Sequence, residues 1–357
     1  MSVLEDKRKI IDDIDEKIAK LFQKRMVTVE KIAQYKIKNK LEVFDKCREE
    51  EILLKNIEFI ENEDQKNLYK EFLKKLLNLS CDYQKSIINK DVIGYPGITG
   101  AFSHIAALTI FPHHKMKSFT TFYEVVKAVE DGSLNYGIIP YENSFTGEVG
   151  EVSDLLKNSD VYINKTLDLK IDQNLLGIKG AKLSDIRQVY SHPQAISQSS
   201  IFLKGMNVEI ISYPNTAIAA KYVSESNDIR KGAIASKETA ILYNLDIIEP
   251  NINTSENNTT RFIVVSKNFI EEGDYFQLLV TVKNKPGTLA NVINIIAKRG
   301  FNMLNIKSHA IPKEPWSYYF HIELEGNLKN KNSKELLLEL KEYCIEIKLL
   351  GGYIKIK

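Results

Sequence analysis

Eight polar residues near the start of the chain have the types and the spacing needed to bind a small dianion. On one helix, Arg25 and Lys36 would lie about 20° apart around the axis and about 16 Å apart along it, so their side chains can close on an anion. Arg8 would lie about 25 Å from Arg25 on that helix, so it can enter such a site only from an antiparallel partner chain. Arginine also matches carboxylates bidentately. The full set is Arg8, Arg25, Lys36, Asp45, Arg48, Glu49, Ser80 and Gln84.

Long helices must position these residues. Apolar side chains recur at helical spacing from residue 4 to residue 39 with no glycine or proline, which predicts one helix about 54 Å long. A helix of this length needs an equally long surface to pack on, and a partner subunit supplies one. After a break at residues 39–43, Asp45 is suited to cap a second helix through about Ile60, and a third is predicted from about Asp64 to Ile87.

Taken singly, each of the eight residues fits an ordinary solvated helix surface with salt bridges. Taken together, they occur in stretches that resemble the all-helical chorismate mutases over about residues 3–87, namely DEKIAKLFQKR, Lys36, VFDKCREEE and SCDYQ. The resemblance implies rearrangement of chorismate to prephenate without a nucleophile or a cofactor. The acceleration then comes from holding the compact conformer and from cationic donors at the developing oxyanion.

The resemblance also implies a role for each residue. Arg8, supplied by the other subunit, joins Arg25 and Arg48 in gripping the substrate carboxylates. Lys36 and Gln84 bond the ether oxygen as negative charge builds there. The substrate hydroxyl and its neighbours are positioned by Asp45, Glu49 and Ser80.

Composition bounds the function of the whole chain. The 357 residues are 43% hydrophobic and 27% charged, which is typical of a globular protein with two or three domains. A net charge of +2, from 49 basic and 47 acidic residues, argues against nucleic-acid binding. The sequence shows neither a membrane-spanning apolar run nor a signal peptide, so we expect no membrane association. Three distant cysteines (Cys47, Cys81 and Cys344) favour reduced thiols and a cytoplasmic location, and the histidines show no metal-ligand spacing.

From about Asp91 the chain alternates short apolar strands with helical stretches. The strands read VIGYPG, YGIIPY, QVYSH, VEIISY, GAIAS and RFIVVS, which predicts an α/β fold with largely parallel strands. Two successive α/β sets, split near Gly180, predict two lobes with a ligand cleft between them. The spacing of Gly94, Gly97 and Gly100 fits neither a Walker loop nor a dinucleotide-binding fingerprint. The adjacent Ser191 and His192 do not make a nucleophile–base pair.

Six blocks in this region resemble prephenate dehydratases over about residues 92–266: GAFSHIAA, DGSLNYGIIPYENSFTGEV, SHPQA, NTAIAA, GAIAS and NNTTRF. The resemblance implies two lobes like those of periplasmic binding proteins, and the conversion of prephenate to phenylpyruvate with loss of carbon dioxide and the ring hydroxyl. Thr260 matches the essential hydroxyl of the family and would act as a polarised donor to the leaving hydroxyl. Substrate binding is expected from Asn143, Ser144, Ser103 and Arg261, although each also fits a turn or cap.

The last region has the element order βαββαβ, which predicts a ferredoxin-like α+β domain. It resembles an ACT domain, a module that binds amino acids, and Pro286-Gly287-Thr288-Leu289 matches its loop-to-helix motif. On the second strand the chain reads Lys307-Ser308-His309-Ala310, where the dehydratase family has Glu-Ser-Arg-Pro. The resemblance implies L-phenylalanine as effector, bound by Gly287, Thr288, Leu289 and Ser308. A purely structural dimerisation domain is the alternative.

Together these observations predict three domains, at residues 1–88, 92–267 and 274–357. The predicted function is a bifunctional enzyme of phenylalanine biosynthesis that needs no metal or cofactor. It would be at least a homodimer, because Arg8 must act in a partner's site. Two alternatives remain at this point: a non-catalytic sensor with a ligand cleft, and a chain in which only the mutase is active.

Overall fold

The computed structural model describes residues 3–39, 41, 46–88, 91–255, 257–311 and 316–356. Contacts divide the chain into two compact units, Met1–Lys90 with His113–Lys115, and Asp91–Pro112 with Met116–Lys357. Within the described residues, no helix combines the length and the apolar character needed to span a bilayer.

The first unit is helical, as predicted. A single helix of 37 residues confirms the prediction from the uninterrupted apolar periodicity, while the second helix ends three residues before the predicted Ile60. Asp45, the predicted N-cap, lies outside the described residues. The helices are α1 (Val3–Asn39), α2 (Lys46–Ile57) and α3 (Glu63–Ile88).

Only part of the apolar surface of α1 is covered within one chain. Val29 and Ala33 of α1 are buried, as are Leu73 and Leu77 of α3. Nearer its N-terminus, α1 carries apolar side chains at the i, i+3, i+4 spacing of an amphipathic helix, each more than 40% exposed. This stripe comprises Ile11, Ile14, Ile18, Leu21 and Phe22.

The second unit begins with a two-lobed α/β region. The first lobe contains β1 (Val92–Pro96), α4 (Phe102–Ile110), β2 (Lys115–Phe119), α5 (Phe122–Glu130), β3 (Tyr136–Asn143), β4 (Gly147–Glu148), α6 (Gly150–Asn158) and β5 (Tyr162–Lys170). The second contains β6 (Asn174–Gly177), β7 (Gln188–Ser191), α7 (Pro193–Gln198), α8 (Ser200–Lys204), β8 (Glu209–Ser212), α9 (Thr216–Ser226), β9 (Lys231–Ala235), α10 (Lys237–Leu242) and β10 (Asp246–Glu249). Strand β11 (Thr259–Ser266) then returns to the first lobe.

Two details of this region differ from the sequence-based expectation. The chain enters the second lobe between Lys170 and Asn174 rather than near Gly180, and β11 is inserted back into the first sheet. The sheets are also mixed rather than largely parallel, because β11 runs antiparallel to both β3 and β5. These differences cannot be predicted from the sequence of one strand, because strand order and direction depend on pairing between segments that are distant in the sequence.

The remaining residues form the predicted βαββαβ domain. Its elements are β12 (Tyr275–Thr281), α11 (Thr288–Lys298), β13 (Asn302–Ala310), β14 (Tyr318–Glu325), α12 (Lys331–Tyr343) and β15 (Glu346–Ile356). The two helices pack on one face of the sheet through a core that includes Val280, Val292 and Leu336. The opposite face contributes Leu279, Tyr319 and other side chains to the core of the first lobe.

Strand β15 joins this domain to the first lobe. Its early part pairs with β12, whereas Ile354–Ile356 pairs in parallel with Lys165–Leu167 of β5. The first-lobe sheet and the domain's sheet are thus one sheet, in the order β13-β14-β12-β15-β5-β11-β3-β1-β2. The two regions therefore share backbone hydrogen bonds as well as side-chain contacts.

Gly351 allows the close approach of β15 to β5. Its φ of +102° is left-handed, and a Cβ there would lie 2.9 Å from the carbonyl oxygen of Ile163. We expect Gly351→Ala to lower the free energy of unfolding by about 2 kcal/mol or more, measured by urea denaturation. Gly180→Ala is the control, because Gly180 has a φ of +83° but open space around it. An equal loss in both variants would show that backbone strain alone, and not the close approach, sets the cost.

Candidate functional site

A cavity of about 380 Å³ lies between the two lobes of the α/β region. From the first lobe it is lined by the N-terminal turn of α4 and by the ends of β3 and β11. From the second lobe it is lined by α7 and by the N-terminal turn of α9. The predicted ligand cleft is therefore present, and Thr260, Asn143 and Ser103 all line it.

Asn143 is the hydrogen-bonding hub of this cleft. Its Nδ2 donates to Thr260 Oγ1 at 2.9 Å and to Asn258 Oδ1 at 2.9 Å. Its Oδ1 accepts the backbone N–H groups of Phe145 and Thr146, each at 3.0 Å. The amide of Asn143 is thus engaged on both sides by protein groups, one of which is Thr260. The expectation that Asn143 binds a substrate carboxylate stays a prediction. The Thr260 oxygen accepts from Asn143, which leaves its proton available for donation into the cleft.

A β-bulge places the neighbours of Asn143 on the other side of the sheet. Thr260 pairs with Asn143 and Arg261 with Glu142, but Phe262 pairs with Pro140, so Tyr141 is the extra residue of β3. Pro140 and Asn143 both line the cleft, whereas Tyr141 and Glu142 contact the ACT-like domain. Bulges commonly re-aim side chains next to active sites, as this one does.

Arg261 and Ser144 are not brought into the cleft with Thr260. Arg261 donates to both Asp168 oxygens, at 2.7 and 3.0 Å, on the opposite face of the strand. The Asp168 contact, opposed by burial, raises the pKa of Arg261 further above its already high value. The Ser144 hydroxyl donates to the carbonyl of Asn257 and accepts the N–H of Thr259, so it closes the end of the β3–β11 pair.

Three buried carboxamides extend the hub and were not predicted. Gln173 donates to Gln198 at 3.3 Å, and Gln198 donates to Asn258 at 3.5 Å. All three expose 4% or less of their surface, and Gln173 and Gln198 line the cleft. Gln173 Oε1 and Asn258 Nδ2 lack a hydrogen-bond partner among the described residues. For Gln198 and Asn258 the available signal was the recurrence of polar residues in SHPQAISQ and NNTTRF, because buried amides need partners.

His192 has a structural position in the cleft wall. Its Nδ1 accepts the N–H of Gln194 at 3.2 Å, which caps α7. Burial lowers the pKa of its imidazole, so the ring is neutral at pH 7. The Nδ1 lone pair is engaged in this cap, which gives His192 a structural contact at the start of α7.

The hydrogen-bond donors that face the cleft are neutral groups. Among the described residues that line it, none is lysine or arginine. The N-terminal turn of α4, at Ala101 and Phe102, and that of α9, at Asn215 and Thr216, both face the cavity. Helix N-termini present unpaired N–H groups and partial positive charge, so two of them suit a substrate with two carboxylates.

In the helical unit, Arg25 and Ser80 are joined directly. Arg25 Nη1 donates to Ser80 Oγ, which in turn donates to the carbonyl of Leu76 at 2.8 Å. Burial lowers the pKa of Arg25, as expected for a cation held partly out of water. Gln84, one turn after Ser80, is 8% exposed, and its Oε1 lacks a hydrogen-bond partner among the described residues. A buried carboxamide oxygen without a partner calls for an explanation, and the prediction that Gln84 contacts the substrate stays a prediction.

Four of the other predicted mutase residues lie elsewhere on α1 and α2. Lys36 lies on the half-buried part of α1, eleven residues beyond Arg25. Arg48 is exposed on α2 and donates to Glu51 at 2.7 Å. Arg8 is exposed near the start of α1. Glu49 lies within α2, but its side chain is outside the described part of the structure. Asp45 lies wholly outside the described residues.

The predicted effector residues lie at one end of the ACT-like sheet. Gly287 precedes α11 with a φ of +83°, and the Thr288 hydroxyl donates to the carbonyls of Lys283 and Lys285, which fixes the loop. Ser308 is exposed on the edge strand β13 and pairs with Phe320, itself opposite Val280 near the start of that loop. The Thr288 hydroxyl is therefore already committed to the loop.

Two of the three altered positions of the second-strand block, Lys307 and His309, face the first lobe. Lys307 Nζ lies 2.6 Å from Glu142 Oε1 and 3.7 Å from Glu148 Oε2. His309 Nε2 lies 3.4 Å from Glu148 Oε2, and its ring stacks on Tyr319. Lys307 and His309 thus contact the β3–β4 hairpin that contains Asn143, rather than the exposed edge where Ser308 lies.

Glu148 should make this junction sensitive to acid. Burial alone would raise the pKa of Glu148, but the contacts from His309 and Ser153 and the charge of Lys307 lower it to about 2. A depressed carboxyl pKa adds stability that is present above its ordinary value near 4.5 and is lost as the pH falls towards about 2. Glu148→Gln should therefore cost of the order of 1 kcal/mol at pH 7 and progressively less below pH 4.5.

Urea denaturation at pH 7 and pH 3 measures this change. Glu151→Gln is the control, because Glu151 is exposed on α6 three residues away. A Glu148→Gln deficit that is equal at both pH values would contradict the assignment of the effect to the ionised carboxylate.

Comparison with known proteins agrees with all three regions. Chorismate mutase type II matches residues 7–85, prephenate dehydratase matches residues 93–269, and the ACT domain matches residues 276–342. The bifunctional chorismate mutase/prephenate dehydratase of Buchnera aphidicola is 33% identical over 96% of this chain and 94% of its own length. That of Aquifex aeolicus is 32% identical over 99% of both chains.

A solved structure supports the fold of the second unit. Prephenate dehydratase from Staphylococcus aureus is 26% identical, with a TM-score of 0.66, and covers 73% of this chain and 99% of that one. The predicted mutase, two-lobed and ACT folds are thereby confirmed. The chain belongs to the bifunctional chorismate mutase/prephenate dehydratase family, with an ACT domain following the dehydratase region.

Proposed function

We propose that the helical unit rearranges chorismate to prephenate, and that the interlobe cleft converts this prephenate to phenylpyruvate. The observation that carries the second step is the Asn143–Thr260 hydrogen bond inside the cleft. This bond holds the Thr260 oxygen in the cleft and leaves its proton available for donation to a leaving hydroxyl. The relatives that match the chain over nearly its whole length are named for both activities.

Thr260 assists departure of the ring hydroxyl. As the bond to the departing carboxylate breaks, its electron pair enters the ring, and the carbon–oxygen bond breaks to complete the aromatic system. A hydrogen bond from Thr260 stabilises the negative charge that develops on the leaving oxygen. The amide of Asn143, by donating to Thr260 Oγ1, polarises the hydroxyl and holds its direction.

The N-terminal turns of α4 and α9 bind the two prephenate carboxylates in this proposal. Binding by N–H groups from both lobes holds the substrate across the cleft, above Thr260. Ser103, in the first turn of α4, adds a hydroxyl donor at the same place. Such positioning supplies rate by fixing the reactive geometry.

The mutase site is completed by a second copy of the chain. Arg25 contacts Ser80 within one chain, and Gln84 lies one turn after Ser80 on α3. Arg8 lies about 25 Å away from Arg25 along α1. The exposed apolar stripe on α1 gives a partner helix the surface that it needs. We therefore propose a homodimer or a larger homo-oligomer in which Arg8 crosses into the partner's site.

Phenylalanine is proposed as the effector of the ACT domain. Gly287, Thr288, Leu289 and Ser308 stay the predicted contacts, with backbone N–H groups at the start of α11 as donors. Titrating phenylalanine against the full chain, with phenylpyruvate formation as readout, tests this regulation. The domain limits 1–88, 92–267 and 274–357 and a cytoplasmic location are part of the same proposal.

One assay tests the proposed function as a whole. Purified protein is incubated with chorismate alone, and prephenate and phenylpyruvate are followed by chromatography. Formation of phenylpyruvate supports both activities. Prephenate that accumulates without phenylpyruvate would limit the chain to the mutase, and absence of any turnover would favour a ligand sensor.

A further inference from the structure

A row of buried polar side chains crosses the face of the ACT sheet that covers the first lobe. Five of its members expose 4% or less of their surface, and the sixth, Arg261, is 22% exposed. Three strands of the ACT sheet contribute to the row, and its two ends belong to β3 and β11 of the dehydratase lobe. In order, the residues are Tyr141, His321, Gln277, Tyr353, Glu323 and Arg261.

Each member of the row is hydrogen-bonded to the next. The Tyr141 hydroxyl lies 2.6 Å from His321 Nδ1, and His321 Nε2 lies 2.8 Å from Gln277 Oε1. Gln277 Nε2 donates to the Tyr353 hydroxyl at 3.2 Å, and that hydroxyl donates to Glu323 Oε1 at 2.5 Å. Glu323 Oε2 then accepts from Arg261 Nη1 at 3.4 Å.

The four hydrogen bonds from Tyr141 to Glu323 all run in the same direction, and Arg261 donates to Glu323 from the other end of the row. Gln277 Oε1 can only accept, which places the imidazole proton on His321 Nε2 and leaves Nδ1 to accept from Tyr141. Burial lowers the pKa of His321 to about 4, in agreement with a neutral ring. The bonds end on the Glu323 carboxylate, whose charge is met by Arg261 and by Lys355 at 3.1 Å. Aligned hydrogen bonds in a buried site strengthen one another.

Both ends of this row lie close in sequence to Asn143 and Thr260, the pair to which we assign the dehydratase chemistry. Tyr141 is the bulged residue of β3, two positions before Asn143. Arg261 follows Thr260 on β11. Neighbouring residues of a strand face opposite sides. The row of hydrogen-bonded side chains can therefore position both strands without entering the cleft.

A metal site is the competing use of this region. Glu148, His309 and His321 present ligand atoms that all lie within 4.8 Å of one another. Both ring nitrogens of His321, however, are already hydrogen-bonded, and the ammonium of Lys307 lies 3.7 Å from the Glu148 carboxylate. The lysine charge takes the place of a cation, so we assign these side chains to the junction between the domains.

We propose that the ACT-domain residues Gln277, His321, Glu323 and Tyr353 are positioning residues for the dehydratase reaction. They hold β3 at Tyr141 and β11 at Arg261, and so set the relation between Asn143 and Thr260. The inference rests on the proposed dehydratase function of the cleft. It assigns the ACT domain a part in each turnover, in the absence of any effector.

The expected signature is a loss of kcat with little change in KM. Substrate binding depends on the helix N-termini of the cleft, which the chain does not touch, whereas the direction of the Thr260 proton depends on the strands that it holds. Misplacement of a reacting group by about 1 Å can cost about 100-fold in rate. Removing one link should therefore lower the dehydratase kcat about tenfold or more and leave KM for prephenate within about twofold.

Tyr141→Phe and Tyr353→Phe each remove one link and keep the ring. Tyr275→Phe is the matched control, because Tyr275 stacks on Tyr353 and its hydroxyl has no hydrogen bond among the described residues. Dehydratase kcat and KM are measured with prephenate and no phenylalanine. Mutase activity with chorismate, measured on the same samples, normalises for intact protein.

The double variant Tyr141→Phe/Tyr353→Phe tests whether the two hydroxyls act through the same row of hydrogen bonds. We expect its loss in kcat to be smaller than the product of the two single losses, since the first substitution already breaks the chain. Wild-type kcat in both single variants, a multiplicative double loss, or an equal loss in Tyr275→Phe would overturn the inference. Lack of prephenate turnover by the unmodified protein would instead refute the proposed function itself.

Discussion

Thr260→Val should lower dehydratase kcat by about two to four orders of magnitude while chorismate mutase activity is unchanged. Valine keeps the shape of threonine but cannot donate to the leaving hydroxyl. It also removes one of the three acceptors of the Asn143 amide. Phenylpyruvate formation from prephenate measures the loss, and mutase turnover of the same preparation shows that the protein is intact.

Two further variants make the Thr260 result specific. Thr260→Ser keeps the hydroxyl and should retain most of the activity. Thr259→Val changes the preceding residue of β11, which does not line the cleft, and should be nearly neutral. Thr260→Val with wild-type turnover would remove the hydroxyl from the mechanism, and an inactive Thr260→Ser would assign the effect to packing.

Arg8→Ala and Arg25→Ala should each reduce mutase activity by about 100- to 1,000-fold, because each removes a cation that stabilises the developing oxyanion or holds a carboxylate. The two variants should complement each other when mixed and refolded. A symmetric dimer has two equivalent sites, and a mixed dimer has one site with both arginines. Random mixing would then restore about a quarter of the wild-type activity.

Dehydratase activity of the mixed sample is the internal control, since neither arginine belongs to that cleft. The proportion of mixed dimers is determined with two affinity tags. If mixed dimers form and mutase activity stays at the level of the single variants, the trans arrangement of Arg8 is wrong.

Much of the fold and part of the site follow from local patterns. The uninterrupted apolar periodicity predicts the 37-residue helix α1, and the strand and turn patterns predict the βαββαβ order of the ACT domain. Thr260 was placed in the cleft from the block that contains it. Arg261, in the same block, is predicted to bind substrate, but adjacent strand residues face opposite sides and Arg261 binds Asp168 instead.

The parts that could not be predicted depend on pairing between distant segments. Asn143 and Thr260 meet only because β3 and β11 pair in one register, although the two residues are 117 positions apart in the sequence. The bulge at Tyr141 is a property of that pairing, and a single strand's sequence does not specify it. Gln173 and Gln198 join the site from the second lobe, so their role emerges only once the lobes are closed around the cavity.

Strand β15 bears on how this chain can be taken apart. Its last residues complete the edge of β5, and Tyr353 on the same strand is part of the row that reaches Arg261. A chain lacking residues 274–357 would lose an effector module together with a structural wall of its catalytic lobe. Desensitised enzymes should therefore be sought by point substitution at the exposed Ser308 edge, because excision or exchange of the whole domain would sever the shared sheet.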